Sequence, residues 1–362
     1  MKTTRVRCLS SLIMSTWLWS VALSLLVIGA RPSLALAEDG GHRSVRVMTY
    51  NLDEGTDYKE VTAALLSGDF KAVQAATLLT INNVQATNPP DRMATIAQEI
   101  ADKQPALVSV QEATQWRIAN CQDSDAPAID ILQLLLNALA AQGQNYSAVV
   151  VVKEFDVSSV TPDFTCVRAT NQDAILARGG VQISNAQSGH YQNLVSFNTK
   201  FGKVTIFRGW GSVDVTAGNQ SFRFVGTHLE ADNAPIQIAQ GNELLQGPAN
   251  TKIPVILAAD FNSVANNPSD PTYPTYSEIV NAGFGDVWTM ANQGDPGLTC
   301  CQDPLLLNTD SFLSQRIDLI FARGGFRARE AELLGDESVD KTSTGLWPSD
   351  HAGVLGELKL SH

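Results

Sequence analysis

Residues 346–360 read LWPSDHAGVLGELKL. Over 354–360 apolar residues alternate with polar or small ones, the period-2 pattern of a strand with one buried face. Ser349, Asp350 and His351 stand just before it, an imidazole beside a carboxylate at a strand mouth. Such a group is either a solvated turn or half of a catalytic site, and the other strand ends decide between them.

Strand-like runs recur at 45–50, 106–111, 146–152, 174–177, 204–215, 222–229, 255–259 and 317–322, with Ala217-Gly218-Asn219 as a hairpin turn. Helical patterns fall between them. Met93, Ile96, Ala97 and Ile100 mark one face of a helix over 90–103, stopped by Pro105. Ile131, Leu132, Leu135, Leu136 and Leu139 mark a second. A third follows the N-cap Asn233, has Pro235 in its first turn and ends at Gly247-Pro248. Residues 56–87 read as an inserted helical hairpin. Strands interleaved with helices predict an α/β protein, and adjacent hairpin strands argue against an all-parallel sheet.

Each strand runs into a polar group. Asn51 closes the first, Glu112 the second, His228 the sixth, and Asp260 with Asn262 the seventh; Asp318 lies in the eighth, and Asp350 and His351 precede the last. Any one of these alone is an ordinary turn former or solvated carboxylate. As a set they suit displacement at phosphorus, where an anionic diester repels an attacking anion and needs a hard cation, held here by Glu112 and Asn51 through oxygen. His351 is the candidate base, its ordinary pKa being ~6.5, and Asp318 would fix its tautomer and favour its protonated form. His228 and Asn262 would meet charge on the phosphoryl oxygens, and Asp260 would orient water or assist the leaving oxygen.

These residues stand in seven ordered stretches: VMTYN (47–51), ALVSVQEA (106–113), DAILAR (173–178), GTHLEA (226–231), ILAADFNS (256–263), RIDLIFAR (316–323) and PSDHAGV (348–354). In that order they resemble the endonuclease/exonuclease/phosphatase superfamily, which includes deoxyribonuclease I, apurinic endonucleases, inositol polyphosphate phosphatases and neutral sphingomyelinases. The resemblance implies a four-layer sandwich, with two mixed β-sheets packed face to face, helices outside and one site at the sheet edges. It also implies a divalent cation, magnesium in most cases, with manganese or calcium as alternatives. Glu112 would be its main ligand, Asn51 would support metal and phosphate, and Asp350 would sit at the metal's edge, with Asp53 within reach. Three features depart from the family pattern. Ala259 replaces the usual glycine before Asp-x-Asn, 56–87 is a longer segment, and DAILAR lacks the glycines often found before it.

Composition bounds the setting. Lys2, Arg5 and Arg7 precede an apolar stretch over 11–30, and Ala35-Leu36-Ala37 supplies small residues for cleavage, so 1–37 reads as a signal peptide and 38–362 as one domain. An uncleaved anchor is the competing reading. Without 1–37 the chain keeps 21 Lys+Arg against 37 Asp+Glu, a formal charge of −16. A secreted, periplasmic or extracellular monomer is expected, and so acidic a surface lacks the footprint of non-specific nucleic-acid binding. Cys121, Cys166, Cys300 and Cys301 remain for disulfides.

The expected activity is that of a metal-dependent phosphodiesterase acting on a phospholipid headgroup or extracellular nucleic acid. Phe201, Phe207, Trp210 and Trp347 would enter a lipid surface with peripheral membrane contact, stack on a base, or simply pack between sheets. The competing class is a secreted binding protein that kept the fold and lost its chemistry.

Overall fold

Alternation along the strands sorts apolar side chains onto two faces, and both faces are covered. In strand His42–Asn51, Val45 and Val47 point one way while Met48 and Tyr50 point the other. The first pair meets Val213, Phe224, Ile256 and Ile320 of a second sheet in a core between the two sheets. Met48 and Tyr50 meet Met93, Ile96, Ile131 and Leu135 of helices Pro89–Lys103 and Ile131–Ala141. On the far side, Val225, Leu257 and Phe321 pack against Leu244 and Ile279 of helices Ala234–Gln246 and Tyr273–Asn281. The result is the four-layer sandwich of two mixed sheets with helices outside.

The computed structural model describes residues 38–39, 42–119, 121–122, 126–217 and 220–360. The expected leader, 1–37, and the Gly218-Asn219 turn lie outside these. The described residues belong to one compact unit. Among the described residues no helix is long and apolar enough to cross a membrane.

The larger sheet has nine strands, ordered Phe326–Leu334, Gly353–Leu360, His42–Asn51, Leu107–Gln111, Cys166–Arg178, Gln115–Ala119 and Ile129–Asp130, with Glu38–Asp39 and Tyr146–Val160 pairing off that path. The other runs Gly285–Asp286, Asp318–Arg323, Val255–Asp260, Gln220–Thr227, Gly209–Ala217 and Gln182–His190. Parallel pairs occur once in each, at His42–Asn51 with Leu107–Gln111 and at Gln220–Thr227 with Val255–Asp260.

Several elements differ from expectation. The single strand expected over 204–215 is two, Gly202–Ile206 and Gly209–Ala217. The first pairs only with Val195–Thr199 in a separate hairpin, while Gly209 lets the second turn into the large stack, where a Cβ would meet the Gly189 carbonyl oxygen at 2.5 Å. Tyr146–Val160 and Cys166–Arg178 run far past their apolar cores, because buried polar residues such as Glu154, Asn171 and Asp173 carry the ladder onward. Phe326–Leu334 has a helix-like composition yet forms an edge strand against Gly353–Leu360. The 56–87 insert is the expected hairpin, Lys59–Ser67 and Phe70–Ala86. Cys121 bonds Cys166 with Cα atoms 6.1 Å apart, and Cys300 bonds its neighbour Cys301.

Candidate active site

Register brings the polar strand ends to one edge. In the six-stranded sheet His228 bridges Asp260, and Asp260 stands opposite Asp318. In the nine-stranded sheet Asn51 pairs with Gln111, which sets Glu112 one residue past its strand. Val354 opposes Thr49, so the residues entering the last strand, His351 among them, arrive beside Asn51.

The side chains join in one polar chain across both sheets. Asn51 Nδ2 donates to Glu112 Oε1 at 3.0 Å and to Asp260 Oδ2 at 3.1 Å. That Asp260 oxygen lies 3.5 Å from His228 Nε2 and 3.9 Å from His351 Nδ1. His351 Nδ1 meets Asp318 Oδ2 at 2.8 Å, and its Nε2 is 4.0 Å from the partly exposed Asp350. The Asn262 N–H donates to Asp260 Oδ1 at 2.9 Å, while its side chain donates to the Leu229 carbonyl at 3.0 Å. All eight residues singled out from the sequence therefore belong to one cluster, although Asn262 has its amide tied to backbone.

Second-layer groups hold this arrangement. Ser349 donates to the Asn51 carbonyl at 2.7 Å and accepts the His351 N–H at 3.1 Å. Thr299 Oγ accepts the N–H groups of Ile317 and Asp318, both at 3.1 Å. The fully buried Arg92 donates to the carbonyls of Thr87, Leu52, Pro348 and Asp53, tying the loop after Asn51 to the loop before His351. Asp53, Glu112 and Asn262 all have positive φ, 53°, 57° and 50°, a conformation that surrounding contacts must enforce.

Burial sets the electrostatics. It pushes the Asp318 carboxyl up to about 6 even against the pull of His351. Burial disfavours charge on the His351 ring, but Asp318, Asp350 and Asp260 outweigh it and hold its pKa well above 6.5. Burial and neighbouring Glu112 raise Glu54 to about 8.

The donor set fits a hard divalent cation. Glu112, Asn51, Asp53 and Asp350 offer oxygen, and the buried Asp53 Oδ2 has no hydrogen-bond partner. Asp260, Asp318 and His351 also bring ligand atoms within 4.8 Å of one another. His351 Nδ1 is already engaged by Asp318, so that triple is better suited to moving a proton than to caging an ion.

The pattern of the Endonuclease/Exonuclease/phosphatase family matches residues 48–351. The chain belongs to this family. Its members are in general phosphoester hydrolases that use a divalent cation. Similar solved structures include endonuclease/exonuclease/phosphatase family proteins from Leptotrichia buccalis (16% identity, TM-score 0.57, covering 87% of this chain and 99% of that one) and Bacteroides thetaiotaomicron (17%, 0.55, 88% and 98%). Another, from Beutenbergia cavernae, is 21% identical with a TM-score of 0.56, covering 88% of this chain and 72% of its own. At such identities the likeness shows the fold. No curated protein matches the chain.

Family motifs did not point to Arg92, Thr299, Asp173 or Arg208. Asp173 opens the DAILAR stretch, accepts the Glu112 N–H at 3.3 Å and lies 3.9 Å from His228 Nδ1. Arg208 sits in the break between two strands, with an unpartnered Nε. Of the aromatics, Trp347 is fully buried and donates to the Asn308 carbonyl at 2.9 Å, whereas Phe201 and Phe207 are exposed.

Proposed function

We propose that this protein is a secreted, monomeric, metal-dependent phosphodiesterase. The observation that carries the reading is that the hydrogen-bonded run Glu112–Asn51–Asp260 ends 3.9 Å from the His351–Asp318 pair, which sets hard oxygen donors beside an oriented imidazole. When bound, a divalent cation near Glu112, Asn51 and Asp350 supplies charge to the phosphoryl oxygens and offsets the carboxylates around His351.

His351 is oriented at Nδ1 by Asp318, leaving Nε2 to take a proton from water. The water oxygen bonds to phosphorus, the ester P–O bond breaks, and the departing oxygen takes a proton from solvent water, relayed past Asp260, to leave as an alcohol. His228 would meet an oxygen that gains charge, while Asn262, its amide held by the Leu229 carbonyl, fixes Asp260 through its N–H. A second assignment is favoured by Asp318, Asp350 and Asp260, whose charges push the His351 pKa up. A ring already protonated donates from Nε2 to a phosphoryl oxygen, and Asp260 then receives the proton of water.

Hydrolysis of bis-p-nitrophenyl phosphate with magnesium, lost with chelator and in His351→Ala, is the expected result. No turnover on any phosphoester would favour a binding protein on this fold. The pH profile separates the two assignments: kcat rises through the His351 pKa if the ring is the base and falls through it if the ring is the donor.

A further inference from the structure

A cavity of about 860 Å³ adjoins Glu112, within the ~300–1,000 Å³ typical of small-molecule sites. Its walls come from the nine-stranded sheet, which contributes Trp116, Phe155 and Val167, and from the two segments added outside the sandwich. Val61, Leu65 and Val73 line it from the helical hairpin, and Phe197 and Val204, paired across their ladder, line it from the separate β-hairpin. At the inner end the lining turns polar, with Glu54, Glu112 and Arg208.

The two inserts touch at their tips, where Lys200 Nζ donates to the Ser67 carbonyl at 3.5 Å and the rings of Phe70 and Phe201 lie 6.2 Å apart. Leu66, Phe70 and Phe201 are 59%, 46% and 48% exposed there. Lys71, Lys200 and Lys203 are exposed around them, in a chain of net charge −12. Apolar side chains with three lysines and one carboxylate, Asp69, beside them suit a surface of anionic lipid.

We propose that this cavity holds the apolar chain of a lipid phosphodiester drawn from a membrane surface. The phosphate would lie at the Glu112 end, where Arg208 lines the cavity and brings a positive charge. This rests on the phosphodiesterase reading and names its substrate class. A nucleic acid would instead lay successive charged phosphates along an aliphatic wall, at a desolvation cost.

The test is hydrolysis of p-nitrophenyl alkyl phosphodiesters with methyl, butyl, octyl and dodecyl chains, below micelle formation, with magnesium. Burying the added methylenes should raise kcat/KM at least about 30-fold from methyl to octyl. Val204→Glu, which places a charge in the cavity, and Val204→Trp, which fills it without a charge, should both flatten that rise and leave the methyl diester rate unchanged. Dansyl-undecanoic acid should bind the chelator-treated protein with a fluorescence increase, and Val204→Glu should abolish it. A flat chain-length series without probe binding, while the methyl diester is still hydrolysed, overturns the cavity's role and spares the phosphodiesterase. Plasmid nicking alongside that flat series assigns the site to nucleic acid. If no diester turns over, the phosphodiesterase reading fails, and probe binding alone decides for or against the chain site.

Discussion

Glu99 offers a test of how burial sets charge in the outer helical layer. It lies on helix Pro89–Lys103 beside the Tyr50 hydroxyl, whose pull on the carboxylate is weaker than the push of burial. Burial first, then the charge of Asp340, pushes it from 4.5 to about 8. An acid with a raised folded-state pKa holds its proton more tightly folded than unfolded. Its contribution is therefore fully present below pH 4.5 and is lost as pH climbs through about 8. At ~1.4 kcal/mol per unit the ceiling is about 5 kcal/mol, and about half of that is expected for a side chain that keeps some contact with water.

Glu99→Gln stays neutral at every pH and keeps the shape. In thermal melts the variant should match the parent near pH ~4 and exceed it by about 5 °C near pH ~8.5. Turnover should not change, because Tyr50 and Glu99 face the helices and not the catalytic edge. Parallel melting curves across that pH range would refute the reasoning.

Two further substitutions probe the site's frame. Asp318→Asn keeps the volume but removes the charge that orients His351; kcat should fall ~10²–10⁴-fold with no loss of melting temperature, and a large drop in melting temperature would make Asp318 a folding residue instead. Arg92→Ala should cost ~3 kcal/mol or more in urea unfolding, because it strands four buried carbonyls, and an unchanged midpoint would show that the clasp is dispensable.

Much of the fold was legible because apolar alternation and strand-end polarity coincide. Val45, Val47, Met48 and Tyr50 announce a strand buried on both faces, and Asn51 announces its functional end. The meeting of these polar side chains could be read for the same reason, since residues placed at strand ends need only register to meet. Other parts depend on pairing that leaves no local trace. Gln182–His190 is a polar edge strand whose sequence carries no alternation, and Phe326–Leu334 is a strand only because Gly353–Leu360 lies beside it. Arg92 stands in no motif, and its burial follows from carbonyls contributed by distant loops. The cavity was illegible for a related reason, because it forms where two inserts remote in sequence meet at Ser67 and Lys200 beside the nine-stranded sheet.

The most direct test of the central claim is manganese binding, followed by electron paramagnetic resonance, in the purified protein and in Glu112→Gln and Asn51→Ala. Saturable binding in the parent, weakened ~10-fold or more in both variants, is the predicted result. Equal affinity in all three would contradict the convergence of these side chains on one ion.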